Sequence, residues 1–215
     1  MGYLNRLLCV LGLLVSVAFA ESLDETRKKA EAGNAIWQFY LGLMYESGEG
    51  APKDSAEAAK WYRKAADQGF VHAQNNLGLM YRNGEGVPKD SDEAAKWFRK
   101  AANKGIAEAQ YNLGLMYDNG EGVPKDSAEA VSWYQKAAEQ GDAAAQVKLG
   151  VKYANGDAVL KDIVLAHAWW NIAGVKGNED AKKNLAAVEK QMTDTQKEKA
   201  MDLARELFAK LPKTK

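Results

Sequence analysis

The stretch NNLGLMYRNGEGVPKDSDEAAKWFRKAANKG, residues 75–105, decides the fold, because the chain writes it four times. In steps of 36 residues, Trp61, Trp97, Trp133 and Trp169 fall into register. Gly42, Gly78, Gly114 and Gly150 do the same, as do Gly69, Gly105, Gly141 and Gly177. A fixed period in this range marks a solenoid, in which each unit buries its apolar face only against its neighbours. The full units run 34–69, 70–105, 106–141 and 142–177, and everything outside them either precedes the array or closes an end.

Within the second unit, Ala73, Leu77, Met80 and Tyr81 recur at helical spacing and give a first helix with one apolar stripe, the core face. Gly78 stands beside that stripe, where a glycine costs about 1 kcal/mol. Its presence in all four units calls for a packing reason, and close approach of two helix backbones is the expected one. Asn83 to Lys89, with two glycines and a proline, breaks the helix. Asp90 then stands as N-cap with Glu93 three residues on, a variant capping box repeated as Asp54/Glu57 and Asp126/Glu129 and half lost as Asp162/Leu165. Ala94, Trp97, Phe98, Ala101 and Ala102 line one face of the second helix, and Gly105 ends it.

Residues 21–33 read as the second helix of a truncated repeat, an N-terminal cap. Residues 178–215 read as a C-terminal cap of two helices. Asn178 to Met192 follows the register of a first helix, and Thr193 and Gln196 form a capping box for the last one. There Ala200, Leu203, Ala204, Leu207, Phe208 and Leu211 make one apolar face. Residues 1–20 are expected to be a cleavable signal peptide: one cation, an apolar run from Leu7 to Val17, then Ala18-Phe19-Ala20 before a mature start at Glu21. A membrane span needs about 20 apolar residues, more than this run offers. The expected location is therefore periplasmic or secreted, without stable membrane insertion after cleavage.

The only cysteine, Cys9, lies in that leader, so the mature chain would carry no disulfide, thiol nucleophile or thiolate metal site. Removing Arg6 with the leader leaves 28 basic against 29 acidic residues. That balance argues against a nucleic-acid or membrane-surface role, either of which would show a basic stripe. With 47% apolar and 27% charged residues the chain is globular, and compatible with a monomer.

The pattern A-x-x-x-L-G-x-M-Y-x-x-G-x-G-V-x-x-D-x-x-x-A-x-x-W-Y-x-K-A-A-x-x-G resembles the Sel-1-like repeat, a cousin of the tetratricopeptide repeat with a longer loop between its helices. The fourth unit departs from it: Asp157-Ala158 replaces Glu-Gly, Leu160 replaces proline, and Trp169-Trp170-Asn171-Ile172-Ala173 ends the unit. Its loop is expected to be less tightly held. The resemblance implies an all-α, right-handed α-solenoid whose first helices line a concave surface, acting as an adaptor for other proteins. Leader-bearing bacterial members are secreted or periplasmic. Some cysteine-rich relatives are described as penicillin-binding or β-lactamase-like, which leaves a β-lactam- or peptidoglycan-acting hydrolase as the alternative.

Chemistry is sparse. His72 and His167 are the only histidines, almost a hundred residues apart, and neither an HExxH nor a P-loop motif is present. Asp118-Asn119-Gly120-Glu121-Gly122 lacks the alternating ligands and distal glutamate of a calcium loop. Ser55, Ser91 and Ser127 recur beside each cap and so share one structural duty. No catalytic residue, cofactor or metal site is assigned. Positions that vary between copied units point instead to binding. Opposite the core stripe lie Ile36/His72/Glu108/Ala144, Phe39/Asn75/Tyr111/Val147 and Glu46/Arg82/Asp118/Ala154, flanking an apolar row of Leu43, Leu79, Leu115 and Val151. A solvated face is one reading of this; a protein-binding groove is the other. The expected groove comprises Phe39, Leu43, His72, Asn75, Leu79, Arg82, Glu108, Tyr111, Leu115 and Asp118.

Overall fold

The structure, a computed structural model, describes residues 22–212. The expected leader and its processing point lie outside the described residues. Among those described there are eleven α-helices and no strand: α1 (Leu23–Glu31), α2 (Ala35–Ser47), α3 (Ser55–Asp67), α4 (Val71–Asn83), α5 (Ser91–Asn103), α6 (Ala107–Asn119), α7 (Ser127–Glu139), α8 (Ala143–Asn155), α9 (Ile163–Val175), α10 (Glu179–Val188) and α11 (Asp194–Lys210). They form two compact units that divide inside α5, between Trp97 and Phe98. In the first unit α1 packs on α2, α2 on α3 and α3 on α4. In the second α6 packs on α7, α7 on α8, α8 on α9, and α9 on both α10 and α11.

The first-helix glycines Gly42, Gly114 and Gly150 have a packing reason, though a different one from backbone meeting backbone. A Cβ on Gly42 would lie 2.6 Å from the Tyr62 ring, and one on Gly114 would lie 2.7 Å from the Tyr134 ring. In the fourth repeat Trp170 fills the same hollow over Gly150. The ring comes from the residue after the repeated tryptophan. Tyr62, Phe98 and Tyr134 are 0% exposed, whereas Trp133 is only half-buried and carries the Lys136 ammonium 3.9 Å from its ring centre. In the first three repeats the tryptophan's neighbour is the deeper knob; in the fourth Trp169 and Trp170 are both buried, at 1% and 4%.

The loop between paired helices is closed by a hydrogen bond that the sequence does not announce. The backbone N–H of Asp54, Asp90, Asp126 and Asp162 donates to the carbonyl of Tyr45, Tyr81, Tyr117 and Tyr153, each at 2.9 Å. The aspartate side chains cap as expected; Asp54 Oδ1 accepts from the N–H groups of Ala56 and Glu57 at 2.9 and 3.0 Å. The other half of the expected capping box is absent in the first two repeats, because the cap N–H is already committed. Glu57 and Glu93 take Lys60 and Lys96 instead, at 2.5 and 2.7 Å. The fourth loop is closed by the same 2.9 Å bond as the others, contrary to expectation. Its departure is local: Ala158 adopts φ +61°, where the preceding loops place Gly50, Gly86 and Gly122.

Successive repeats are tied by a buried glutamine. Gln38, Gln74 and Gln110 donate through Nε2 to the carbonyls of Ala30, Ala66 and Ala102 at 3.1 Å, and Gln146 donates to Ala138 at 3.0 Å. Each carbonyl already accepts from the backbone N–H of the glycine that ends its helix, and the glutamine adds a second donor that fixes the next first helix against it. Arginines add a second tie: Arg27 donates to the Tyr45 hydroxyl at 2.5 Å and Arg99 to that of Tyr117 at 2.7 Å.

At the C-terminus the first helix of the expected fifth unit is α10, followed by a 3₁₀ turn at Glu189–Gln191. Thr193 and Gln196 form the full capping box. On α11, Ala200 and Ala204 are buried, and Leu203, Leu207 and Leu211 pack on the core around Trp169 and Ile172. Phe208, expected on that face, is 51% exposed.

Candidate protein-binding face

In the first unit, Leu43 and Leu79 stand half-buried at the same register of α2 and α4, leaving apolar surface in reach of solvent. Leu43 lies beside Ile36, Trp37 and the buried Tyr40, so the N-terminal part of the face is apolar and aromatic. His72 is half-buried between rings, its centre 6.2 Å from Phe39 and 5.8 Å from Phe70. Burial holds its imidazole below the ordinary histidine range. Arg82 is half-buried at the end of α4.

Two expected groove residues leave the face. Phe39 is 0% exposed, enclosed by Tyr40, Tyr62 and Phe70, and belongs to the core. Asn75 is 3% exposed, with Oδ1 buried and without a hydrogen-bond partner. Phe39 points further inward than its spacing implied, because Phe70 and His72 of the next repeat lie against it. Only Tyr111 at the register 39/75/111/147, half-buried in the second unit, retains exposed surface among the groove residues expected there.

In the second unit, Tyr111 and Leu115 pack on the core around Tyr134, with the Tyr111 ring 6.0 Å from the Tyr134 ring. Glu108 is exposed. Asp118 has a different occupation from the expected specificity role. Its Oδ1 accepts from Lys152 Nζ at 2.5 Å, and the Tyr134 hydroxyl donates to its Oδ2 at 3.4 Å. The same ammonium donates to Asp157 Oδ2 at 2.5 Å. Lys152 is almost fully buried, 6% exposed at the side chain, at a register where Met80 and Met116 serve as core residues. Burial alone would push its ammonium down; the hydrogen bonds to Asp118 and Asp157 outweigh it and hold Lys152 above the ordinary lysine range. The Lys152 bond holds Asp157 below the ordinary carboxylate range. Lys152 escaped the sequence reading, although a lysine in a methionine column was the signal.

The histidines are engaged separately. His167 is buried, with Nε2 3.1 Å from Glu189 Oε1. Each therefore has a structural environment, rings for His72 and a carboxylate for His167. The second unit also carries a cleft of 220 Å³ between α9 and α11, where Val175, Met201 and Phe208 leave 74%, 43% and 51% of their surface exposed.

The profile of the Sel1 repeat matches residues 38–70, 71–106, 107–142 and 143–178. A search of curated proteins returns no significant match. Among solved structures, a protective antigen present in uropathogenic Escherichia coli strains, displaying an SLR fold, is 43% identical with a TM-score of 0.77, over 80% of this chain. The chain spans 37% of that antigen's length. A Sel1 repeat protein from Oxalobacter formigenes is 36% identical with a TM-score of 0.71, over 84% of this chain and 75% of its own.

Proposed function

Because the chain belongs to the Sel1 repeat family, whose α-solenoids are in general protein-interaction scaffolds, we propose that it is a non-catalytic adaptor working in the periplasm or outside the cell. It binds a protein partner with its first-helix faces. The observation that carries this reading is the half-buried leucine at a fixed register, Leu43 and Leu79 in the first unit and Leu115 in the second, with charged and aromatic neighbours that change from repeat to repeat. Within each unit, an apolar position with a variable polar edge has the make-up of an interface core and rim. Scaffolding alone would not require either.

The location rests on the leader-like residues 1–20. Among the described residues, no helix is long and apolar enough to cross a membrane. N-terminal sequencing of the exported protein is expected to give Glu21; full-length chain recovered only in membranes would overturn the assignment. For binding, a photo-crosslinking residue at position 79 is expected to capture a discrete partner in the native envelope, while one at the exposed Lys100 is not. Equal capture at both positions would overturn the face. The cleft at Val175, Met201 and Phe208 is the second reading, favoured by its exposed apolar side chains. The hydrolase alternative predicts nitrocefin turnover by the purified protein, and none is expected.

A further inference from the structure

The second unit shows how this repeat holds an ammonium group. Lys152 Nζ lies 2.5 Å from both Asp118 Oδ1 and Asp157 Oδ2, and Tyr134 donates to the remaining oxygen of Asp118. Two periods earlier in the chain, the first unit carries the corresponding residues, with both carboxylates lengthened and the cation exchanged outright. Glu46 stands at the place of Asp118, Glu85 at that of Asp157 and Tyr62 at that of Tyr134. The Tyr62 hydroxyl donates to Glu46 Oε2 at 2.5 Å, and Asn83 Nδ2 donates to Glu85 Oε1 at 3.1 Å. The exchanged part is the cation: the counterpart of Lys152 is Met80, 2% exposed in the core.

We propose that Glu46 and Glu85 form a receptor site for a lysine side chain of the protein partner, supplied from outside where the second unit supplies its own from within. The proposal rests on the partner-binding reading for its ligand, and its first test needs no partner. Three observations support it. Glu46 is half-buried and Glu85 exposed, so the pair is reachable from solvent, unlike the enclosed Lys152. Glutamate is one methylene longer than the aspartates of the second unit, a length suited to a cation held further out. The Glu46 carboxyl is also held above its ordinary range: burial pushes it up and Glu85 pushes it further, against the hydrogen bond from Tyr62 and the charge of Lys53. Lys53 is not the counterpart of Lys152: its own counterpart, Lys125, is present in the second unit beside Lys152 and acts there on Asp157.

Glu46 belongs to the variable register 46/82/118/154, which runs along the first-helix face three residues after the leucine row. A partner segment with an apolar residue next to a lysine would fill both, the first over Leu43 and the second between the carboxylates. Charge-assisted pairing of this kind sets register and orientation more than raw affinity.

The probe is n-butylammonium, a lysine side chain without its backbone, titrated into the mature chain at constant ionic strength and followed by the backbone amide signals, which the side-chain variants retain. A saturable shift confined to the amides around positions 46 and 85 is expected, absent with n-butanol or with sodium alone, and lost in Glu46→Gln/Glu85→Gln. Met80→Lys should supply the ammonium internally and weaken the butylammonium response at least tenfold; if that variant does not fold, the double glutamine variant still decides. A response that survives Glu46→Gln/Glu85→Gln, or that sodium reproduces, overturns the site. With the crosslinked partner in hand, Glu46→Gln/Glu85→Gln is expected to weaken binding about tenfold and to flatten its salt dependence. Binding abolished by Leu43→Ser/Leu79→Ser but untouched by the glutamine pair would leave the face standing and remove the lysine site.

Discussion

Residues 22–97 and 98–212 build the same repeat from the same parts, yet the register that holds Met80 in the first unit holds Lys152 in the second. The shared parts are the ring in the glycine hollow, the glutamine on the preceding carbonyl and the aspartate N–H on the tyrosine carbonyl. They recur because each repeat must satisfy the same backbone groups and fill the same gap. The exchanged residue changes what the first-helix face can offer. In the second unit a carboxylate pair is bridged from inside by Lys152, and in the first the corresponding position holds Met80.

The largest expected effect tests the shared parts. Tyr134→Ala and Tyr62→Ala should each cost about 3–5 kcal/mol, since each removes a buried ring from the glycine hollow. Chemical denaturation followed by far-UV circular dichroism measures both. A loss at only one of the two would mean that the hollows are not equivalent.

The next effect tests the difference. Lys152→Ala leaves Asp118 and Asp157 facing each other without the ammonium and should cost about 1–3 kcal/mol, below the full value for a buried pair because Asp157 is half exposed. Lys152→Met, which restores the residue type of Met80 and Met116, should lose less by filling the space. Equal losses in the two variants would place the whole effect in charge and none in packing.

A smaller gain is expected at the fourth loop. Ala158 sits at φ +61°, where an L-residue other than glycine costs about 1 kcal/mol, so Ala158→Gly should raise stability by roughly that amount. An unchanged melting midpoint would show that the loop tolerates the alanine without strain.

The smallest effect is a pH dependence. Glu46 is raised above its ordinary value, so the folded state holds its proton more tightly and Glu46 contributes stability that is present at acid pH and lost as pH rises through the raised value. Glu46→Gln should therefore compare more favourably with the parent at neutral pH than at pH values below the ordinary glutamate range. His72, lowered by burial, acts oppositely by losing stability as pH falls, so the comparison is best made in a His72→Gln background. No change in the difference between the two proteins with pH would contradict the burial of Glu46.

Much of the fold was legible because periodicity is a one-dimensional signal. Trp97, Gly78 and Asp90 recur in register, and eleven helices, their caps and the terminal closing elements follow from them. What escaped depends on the neighbouring repeat. Phe39 and Asn75 sit at an outward register of an isolated helix, and packing of adjacent helices carries them into the core. The N–H of Asp90 was expected to serve Glu93, whereas the tyrosine carbonyl across the loop claims it. Phe208 has the spacing of a core residue on α11 but lines the open cleft beside Val175 and Met201. The Lys152 bridge needed three-dimensional contact between residues 34 and 5 positions away in sequence, which no single-helix pattern reveals.

The most direct measurement is the affinity of the crosslinked partner for two double variants, one from each candidate surface. Leu43→Ser/Leu79→Ser is expected to weaken binding tenfold or more while melting as a folded protein, since removing an interface anchor commonly costs about 2 kcal/mol. Val175→Ser/Phe208→Ser, in the cleft between α9 and α11, is expected to bind like the parent. The reverse pattern, with the leucine variant at parental affinity and the cleft variant weakened, would contradict the account and move recognition to the C-terminal end.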